Sequence, residues 1–400
     1  MNLGDLLMKK SLLALVALGA FAGAAQAQSS VTLYGIVDEG LLFNNNAGGQ
    51  RQYQLASGNL QGSRFGLRGT EDLGGGLKAI FVLENGFNTS TGALGQGGNM
   101  FGRQAFVGLS HDSYGRVTLG RQYDSVVDFV GALESGSQWA TGYGAHPGDL
   151  DNMNNSNRTN SAIKYTSPVY AGLQFGAVYS LGGVAGDYSR NQIWSVGLGY
   201  TNGPLVLGGA YLNVRDPNYS FFGNNPSSKA STTLPSSLNM TSPVYSGYAS
   251  ANTQQVAAVG GAYTIGAATL GVTYSYTRFD NVGAVGGTGL NPLGLKGNAS
   301  FHNVEGNFKY QLTPTLLAGI AYDYTRGSSV NGQDAAQYHQ VNLGVDYFLS
   351  KRTDIYAAGI YQHALGYDST GARARAAIAG LTASSSQNQV AATVGIRHKF

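Results

Sequence analysis

The chain has 400 residues, with 60 Gly, 25 Tyr and 16 Phe but no Cys, and only 11% of it is charged, less than half the share of about 25% usual in globular domains. A formal charge of +3 is too near neutral for a nucleic-acid face, and the lack of cysteine removes disulfide frameworks and thiolate metal sites. A mean hydropathy of −0.11 excludes a helical membrane protein, which needs runs of roughly 20 apolar residues, but not a barrel, whose lipid-facing residues are diluted by lumen-facing ones.

The chain opens on an address. Met8-Lys9-Lys10 is a basic n-region, residues 11–25 (SLLALVALGAFAGAA) are the apolar h-region, and Ala25-Gln26-Ala27 is an A-x-A cleavage site. Residues 1–27 are therefore expected to be a signal peptide, with 1–7 as an upstream extension, and 28–400 to form one domain.

Beyond the leader the recurring signal is alternation at period two. Trp194, Val196, Leu198 and Tyr200 share one face against Ser195, Gly197 and Gly199. Leu270, Val272, Tyr274 and Tyr276 alternate with Gly271, Thr273 and Ser275, and Ile320 and Tyr322 with Gly319 and Ala321. Short breaker-rich turns fall at 71–76, 111–115, 167–168, 201–204, 265–266, 312–314 and 349–352. Between them lie longer polar stretches near 44–52, 89–99, 124–157, 182–190, 214–254, 280–300, 327–337 and 364–387. Seven turns and eight loops predict sixteen strands. Short turns at one end and long loops at the other are the layout of a transmembrane antiparallel β-barrel. Residues 31–37 and 389–400 are expected to pair and close it. At that strand number an aqueous channel remains. The last strand alternates through Val394, Ile396 and His398 to a terminal Phe400.

Several segments resemble one family. They are SSVTLYGIVD at 29–38, SRFGLRGTEDLGGGLKA at 63–79, GRQAFVGL at 102–109, YGRVTLGRQY at 114–123, NSAIKYTSP at 160–168 and the ending GIRHKF. Together they resemble the Gram-negative general diffusion porins of the beta-proteobacterial, neisserial-type branch, from Ser29 to Phe400. The resemblance implies a homotrimer with one pore per subunit and a third long loop folded into the barrel. It implies an outer-membrane location among lipid and lipopolysaccharide. Phe400 resembles the signal read by the outer-membrane barrel assembly machinery.

Strand parity assigns faces. Phe65 and Leu67 point outward, so Arg64 and Arg68 point into the lumen; Phe106 points outward, so Arg103 points inward; Arg158 and Lys164 share a parity after the long loop. The resemblance implies that Arg64, Arg103 and Arg158 form a basic cluster on the barrel wall, with Arg68, Lys164 and Asp38 as further lumen candidates. The third loop carries Asp124, Asp128, Glu134, Asp149 and Asp151. A cationic wall facing an acidic loop would set a transverse field across the narrowest point. The Pro-Glu-Phe motif of enterobacterial porins is absent from this loop, where Leu133-Glu-Ser-Gly-Ser stands nearest. Arg121 has outward parity, and the resemblance suggests a polar subunit contact.

The expected function is passive diffusion of small hydrophilic solutes, with weak anion preference. No metal, cofactor or nucleic acid is implied. Catalysis is not expected: no His-Glu-x-x-His, Gly-x-Ser-x-Gly or phosphate-loop motif occurs, and the six histidines are scattered among turns, loops and strand ends. A substrate-specific channel would line its lumen with stacked aromatics, whereas most aromatics here fall on the outward parity, with Tyr34 an inward exception. A receptor or adhesin role for the long loops is a further alternative.

Overall fold

Two-faced strands are stable in lipid only if the sheet has no edge, because hydrocarbon offers no partner to a free N–H or C=O. A computed structural model, which describes residues 30–223, 238–287 and 289–400, shows how this chain meets that demand. The predicted leader at 1–27 and part of the stretch at 214–254 lie outside the described residues.

The strands are β1 (Ser30–Ala47), β2 (Gln50–Ser57), β3 (Arg64–Gly74), β4 (Leu77–Gly86), β5 (Gln104–His111) and β6 (Gly115–Gln122). After a long loop come β7 (Thr159–Thr166), β8 (Leu173–Ser180), β9 (Ile193–Asn202), β10 (Leu205–Arg215), β11 (Thr253–Ile265) and β12 (Ala268–Val282). The set ends with β13 (Gly297–Thr313), β14 (Leu316–Gly327), β15 (Gln337–Phe348), β16 (Thr353–Leu365) and β17 (Asn388–Lys399). Each pairs antiparallel with its neighbours, and β1 pairs with β17 to close the ring. Segments β2 and β3 both pair with β1, so they are two halves of one barrel strand, and the barrel is sixteen-stranded.

Three details depart from the sequence reading. The stretch near 44–52 is a tight hairpin, turning at Gly48 and Gly49, whose φ values of 63° and 106° suit glycine and few other residues. The closing pair runs from Ile36↔Lys399 to Asn44↔Ala391, further along β1 than expected. The eighteen-residue β1 overhangs the chain end, so that Ser30–Tyr34 pair only with β3. Finally, the second barrel strand is broken at residues 58–63, which the sequence pattern did not reveal.

That break is organised by Asp38. Its carboxylate accepts from the backbone N–H of Leu60 (2.9 Å) and Gln61 (2.7 Å) and from the Tyr356 hydroxyl (2.5 Å). Its backbone carbonyl accepts from Gly58 N and from Ser63 Oγ. Asp38 faces inward as expected, yet it is fully buried and offers nothing to solutes. Asp38→Ala would strand three donors at the seam and should cost about 2–3 kcal/mol, read as a lower urea midpoint of the lipid-reconstituted barrel. Asp38→Asn, which keeps one acceptor oxygen, should cost less.

Candidate functional site

The third long loop, residues 123–158, enters the barrel and lies along its inner wall. It begins with helix α1 (Ser125–Phe129), whose first turn is capped by Asp124: Oδ1 accepts from Val126 N (2.7 Å) and Val127 N (3.3 Å). Ser125 N donates to Ser195 Oγ on β9. Farther on, Ser135 donates through N and Oγ to the two carboxylate oxygens of Glu305 on β13, at 2.8 and 2.6 Å. Asn342 and Gln340 on β15 donate to the carbonyls of Gly144 and Ala145. The loop tip reaches the strand break, where Tyr143 Oη donates to Asn59 Oδ1 (2.7 Å) and Gly142 N to Asn59 O (2.7 Å).

Inward glycines let the loop lie flat. A Cβ on Gly319 or Gly344 would overlap the Trp139 indole, and one on Gly197 would overlap the Phe129 ring. The small face of the alternating strands is thus a shelf for two large loop side chains.

The expectation that the loop acids face the arginine wall is not met. Asp124 is spent on its helix cap and on Asn152 Nδ2 (2.7 Å). Asp128 pairs with Lys164, whose Nζ also donates to Tyr123 O, so Lys164 anchors the loop rather than lining open lumen. Asp149 accepts from Asn154 N and Ser156 N, both at 2.9 Å. Glu134 accepts from His146 N (2.8 Å), and Asp151 from Ser275 Oγ (2.6 Å). All but Asp128 are buried.

At the centre of these contacts is His146, which no motif or spacing had singled out among the histidines. Its Nδ1 lies 2.7 Å from Asp151, and its Nε2 lies 3.8 Å from Glu134, 3.7 Å from Asp323 on β14 and 4.0 Å from Glu305. Burial opposes charge on the ring, but the Asp151 and Glu134 carboxylates outweigh it and hold His146 well above its usual range. Burial lifts Glu134 well above the carboxylate range, and burial together with Asp151 pushes Asp149 up to about 7. Asp151 is held low, because His146 overcomes the burial penalty.

Across the opening, on β3 to β5 and the end of the loop, the three predicted arginines converge, close enough to repel one another. Arg103 Nε lies 2.7 Å from Glu84 Oε1, and its Nη2 donates to Tyr123 Oη (3.1 Å). Glu84 also accepts from Tyr34 Oη (3.0 Å) and Tyr123 Oη (3.1 Å). The Arg158 guanidinium stands 5.8 Å from the Tyr123 ring centre, and Arg68 stands 5.4 Å from that of Tyr34. Arg64 Nε donates to Gly62 O in the strand break. The sequence reading missed Glu84, although its inward parity on β4, opposite Phe81 and Leu83, was legible. It also missed Lys399, on the row of Ile36, which pairs with Arg64 on its other side.

Arg121 donates through Nε to Gly102 O (2.8 Å) and bonds Asn160, tying the second loop's end to the start of β7. Phe400 points outward, and its backbone exchanges two hydrogen bonds with Gly35.

The loop's titrations give a pH dependence. Asp149, at about 7 in the folded loop against about 3.9 unfolded, contributes fully below pH ~4, and its contribution is lost as pH rises through ~7. His146, raised as well, loses its contribution at higher pH still. Asp151 works in the opposite sense, but only below about 4. Single-channel closing events should therefore be rarest near pH ~4, become more frequent as pH rises from there to about 7, and go on increasing in alkali as His146 loses its proton. A closing rate that stays flat in alkali would sink this account.

The model of the family described as Gram-negative porin matches residues 14–367. An outer membrane porin protein of Bordetella pertussis is 31% identical over 98% of this chain and 100% of its own length. Among solved structures, the anion-selective porin from Comamonas acidovorans superposes with a TM-score of 0.70 at 24% identity, over 93% of this chain and 100% of that one. The in-vitro folded OmpT of Vibrio cholerae, in its trimer form, superposes with a TM-score of 0.62 at 18% identity, over 93% and 99%. These relatives are channels rather than enzymes. With the barrel closed, its third loop inside and the family pattern spanning most of its length, this chain belongs to the Gram-negative porin family of the outer membrane.

Proposed function

We propose that this general diffusion porin passes small hydrophilic solutes with a weak preference for anions. One observation carries the reading: the wall across from the seated loop carries Arg64, Arg68, Arg103 and Arg158, of which Arg64 and Arg68 are the more exposed and Arg103 and Arg158 are buried, with Glu84 the acid among them, while the loop acids are consumed in seating the loop. Guanidinium groups on one wall, facing a loop whose carboxylates are each taken up by their own partners, give a net positive potential at the narrowest point. The Comamonas neighbour is titled anion-selective, which agrees. Tyr34 and Tyr123 are both hydrogen-bonded to Glu84 and form no continuous aromatic track, so a sugar slide is not favoured.

The native form is a homotrimer in this reading. Interfacial aromatic side chains mark lipid-facing wall. On β9 to β16 the outward face carries Trp194, Tyr211, Tyr274, Tyr276, Tyr322, Tyr324 and Tyr361, whereas on β5 to β7 it is largely aliphatic, with Val107, Leu109, Val117, Leu119 and Ile163. The aliphatic sector is the face for neighbouring subunits, and Arg121 stands on it. The OmpT neighbour is a trimer by its title. Lipid and lipopolysaccharide surround the remaining wall, and Phe400 serves as the mark for the assembly machinery.

Reversal potential in a salt gradient tests the selectivity. The wild-type channel should favour anions. Arg64→Gln and Arg158→Gln should each shift the permeability ratio toward cations, by up to roughly five-fold, the equivalent of about 1 kcal/mol for one charge near a permeating ion in water. A cation-preferring wild type would overturn the arginine-wall reading. For Phe400, replacement by Ala should lower the yield of folded barrel in cells while refolding of the purified chain into detergent proceeds normally. Equal loss in both would make Phe400 a structural residue only.

A further inference from the structure

Just below Glu84, toward the short-turn end, the lumen wall carries apolar side chains that no loop covers. Register sets them in two transverse rows. In the upper row Arg68 on β3 stands opposite Val82 on β4, and Val82 opposite Phe106 on β5. In the lower row Thr70 stands opposite Ile80, and Ile80 opposite Gly108. Val82 and Ile80 share the parity of Glu84, and the pairing carries Phe106 onto the same inward row, against its expected outward place. All three are part-exposed. Beyond Phe106 the upper row continues through Gly120 to Ala162, which add no polar side chain.

Elsewhere in this barrel, inward apolar side chains have a structural use. Leu212 and Val256 are buried against Val126 and Val130 of the third loop, and Ile360 against Ile378 of the eighth. Ile80, Val82 and Phe106 belong to no such cluster, because the third loop covers β8 to β15 and leaves this sector open. Their apolar area still in water is available to any solute group that covers it. The cation at the edge of the row is available too. Arg68 is exposed, and its guanidinium has no ion pair or hydrogen bond among the described residues. It stands 5.4 Å from the Tyr34 ring centre. That ring lies close over Gly66, where a Cβ would overlap it, and its hydroxyl is fixed by Glu84. Arg103, by contrast, is held by Glu84 and Tyr123.

A free guanidinium beside an uncovered apolar step defines a solute. The planar fork of arginine takes a carboxylate through paired hydrogen bonds. Phe106 offers its ring to another ring, a contact that adds to simple area burial. Adjacent strands are about 4.8 Å apart, which puts the Arg68 and Phe106 backbones about 10 Å apart across Val82. A carboxylate and a ring joined by a short aliphatic link fit between the two side chains. A small aliphatic acid gains the arginine but not the step, and a sugar gains neither. An aromatic cation meets the step but is repelled by Arg68. The apolar surface is only two rows deep, so a solute that pauses there also leaves, as conduction requires.

We infer that Arg68, Val82 and Phe106, with Ile80 below them, form a transit subsite for aromatic carboxylates, the carboxylate on Arg68 and the ring over Val82 and Phe106. The inference deepens the proposed anion preference and rests on it. The test records single-channel current through the intact channel in a planar bilayer at neutral pH, with phenylacetate or acetate as the probe. In the wild type, phenylacetate should interrupt the current with an apparent affinity roughly five-fold or more above that of acetate, the scale set by taking part of an aromatic ring out of water. Phe106→Thr, which keeps a residue suited to a strand, should bring the two probes close to equal. Val82→Thr should narrow the difference less, and carries the test if Phe106→Thr does not assemble. Arg68→Gln should weaken both probes. Equal affinities in the wild type, or an undiminished difference in these step variants, would overturn the subsite while leaving the anion preference intact. Equal affinities for phenylacetate and benzylammonium would overturn it in favour of apolar adsorption alone. A cation-preferring reversal potential, read before any probe is added, would instead overturn the reading on which the subsite rests.

Discussion

Everything in this molecule depends on a sheet that must close on itself. A chain in hydrocarbon cannot leave an edge unpaired, so the first strand must meet the last, and it does so through nine register pairs from Ile36↔Lys399 to Asn44↔Ala391. Closure fixes which residues face inward. Once inward and outward are fixed, the wall becomes a surface on which the third loop can be laid, and the opening is whatever the loop leaves free. The arginines remain on the open side because the loop covers β8 to β15 and its tip stops at the break between β2 and β3.

The two sides of the opening use charge in different ways. On the loop side, carboxylates are drawn out of water and given backbone donors, a histidine and a lysine. Burying a charge is tolerable only with such partners, and the cage around His146 supplies them. On the wall side one carboxylate, Glu84, is shared by Arg103, Tyr123 and Tyr34. It holds the arginine heads in place without neutralising the group of four. Seating and selectivity are thereby divided between different acids.

Much of this was legible in the sequence, and the reason is periodicity. Alternation in a closed barrel has only two outcomes per residue, so Phe65 and Leu67 outward forced Arg64 and Arg68 inward, and counting turns yielded the strand number. What failed was chiefly whatever depends on contacts distant in the chain, together with the parity given to Phe106, which lies opposite Val82 on the inward row while Val107 faces out, so that Arg103 enters the lumen from the loop end before β5 and not by strand parity. The loop acids looked like lumen charges because nothing local says that Ser275, Glu305 or Asp323 waits behind them. His146 looked like one of six scattered histidines for the same reason. The break at 58–63 escaped because it is held by Asp38 and Tyr356, twenty and three hundred residues away in order of magnitude. The inward glycines were read as small lumen residues, and their use as a shelf for Trp139 and Phe129 appears only when the loop is in place.

The elbow at 58–63 has a bearing on how the protein is made. On one side it is tied through Asp38 to Tyr356 of β16, next to the seam; on the other, Asn59 receives the loop tip through Tyr143 and Gly142. The receptor for the tip is thus complete only when the first and last parts of the chain have met, the contacts of highest sequence separation and slowest formation in such a topology. The narrowing of the channel is consequently a late event of biogenesis. A nascent barrel whose ends have not joined has no finished aperture, and the chain acquires its sieve at the same step that seals it against the bilayer.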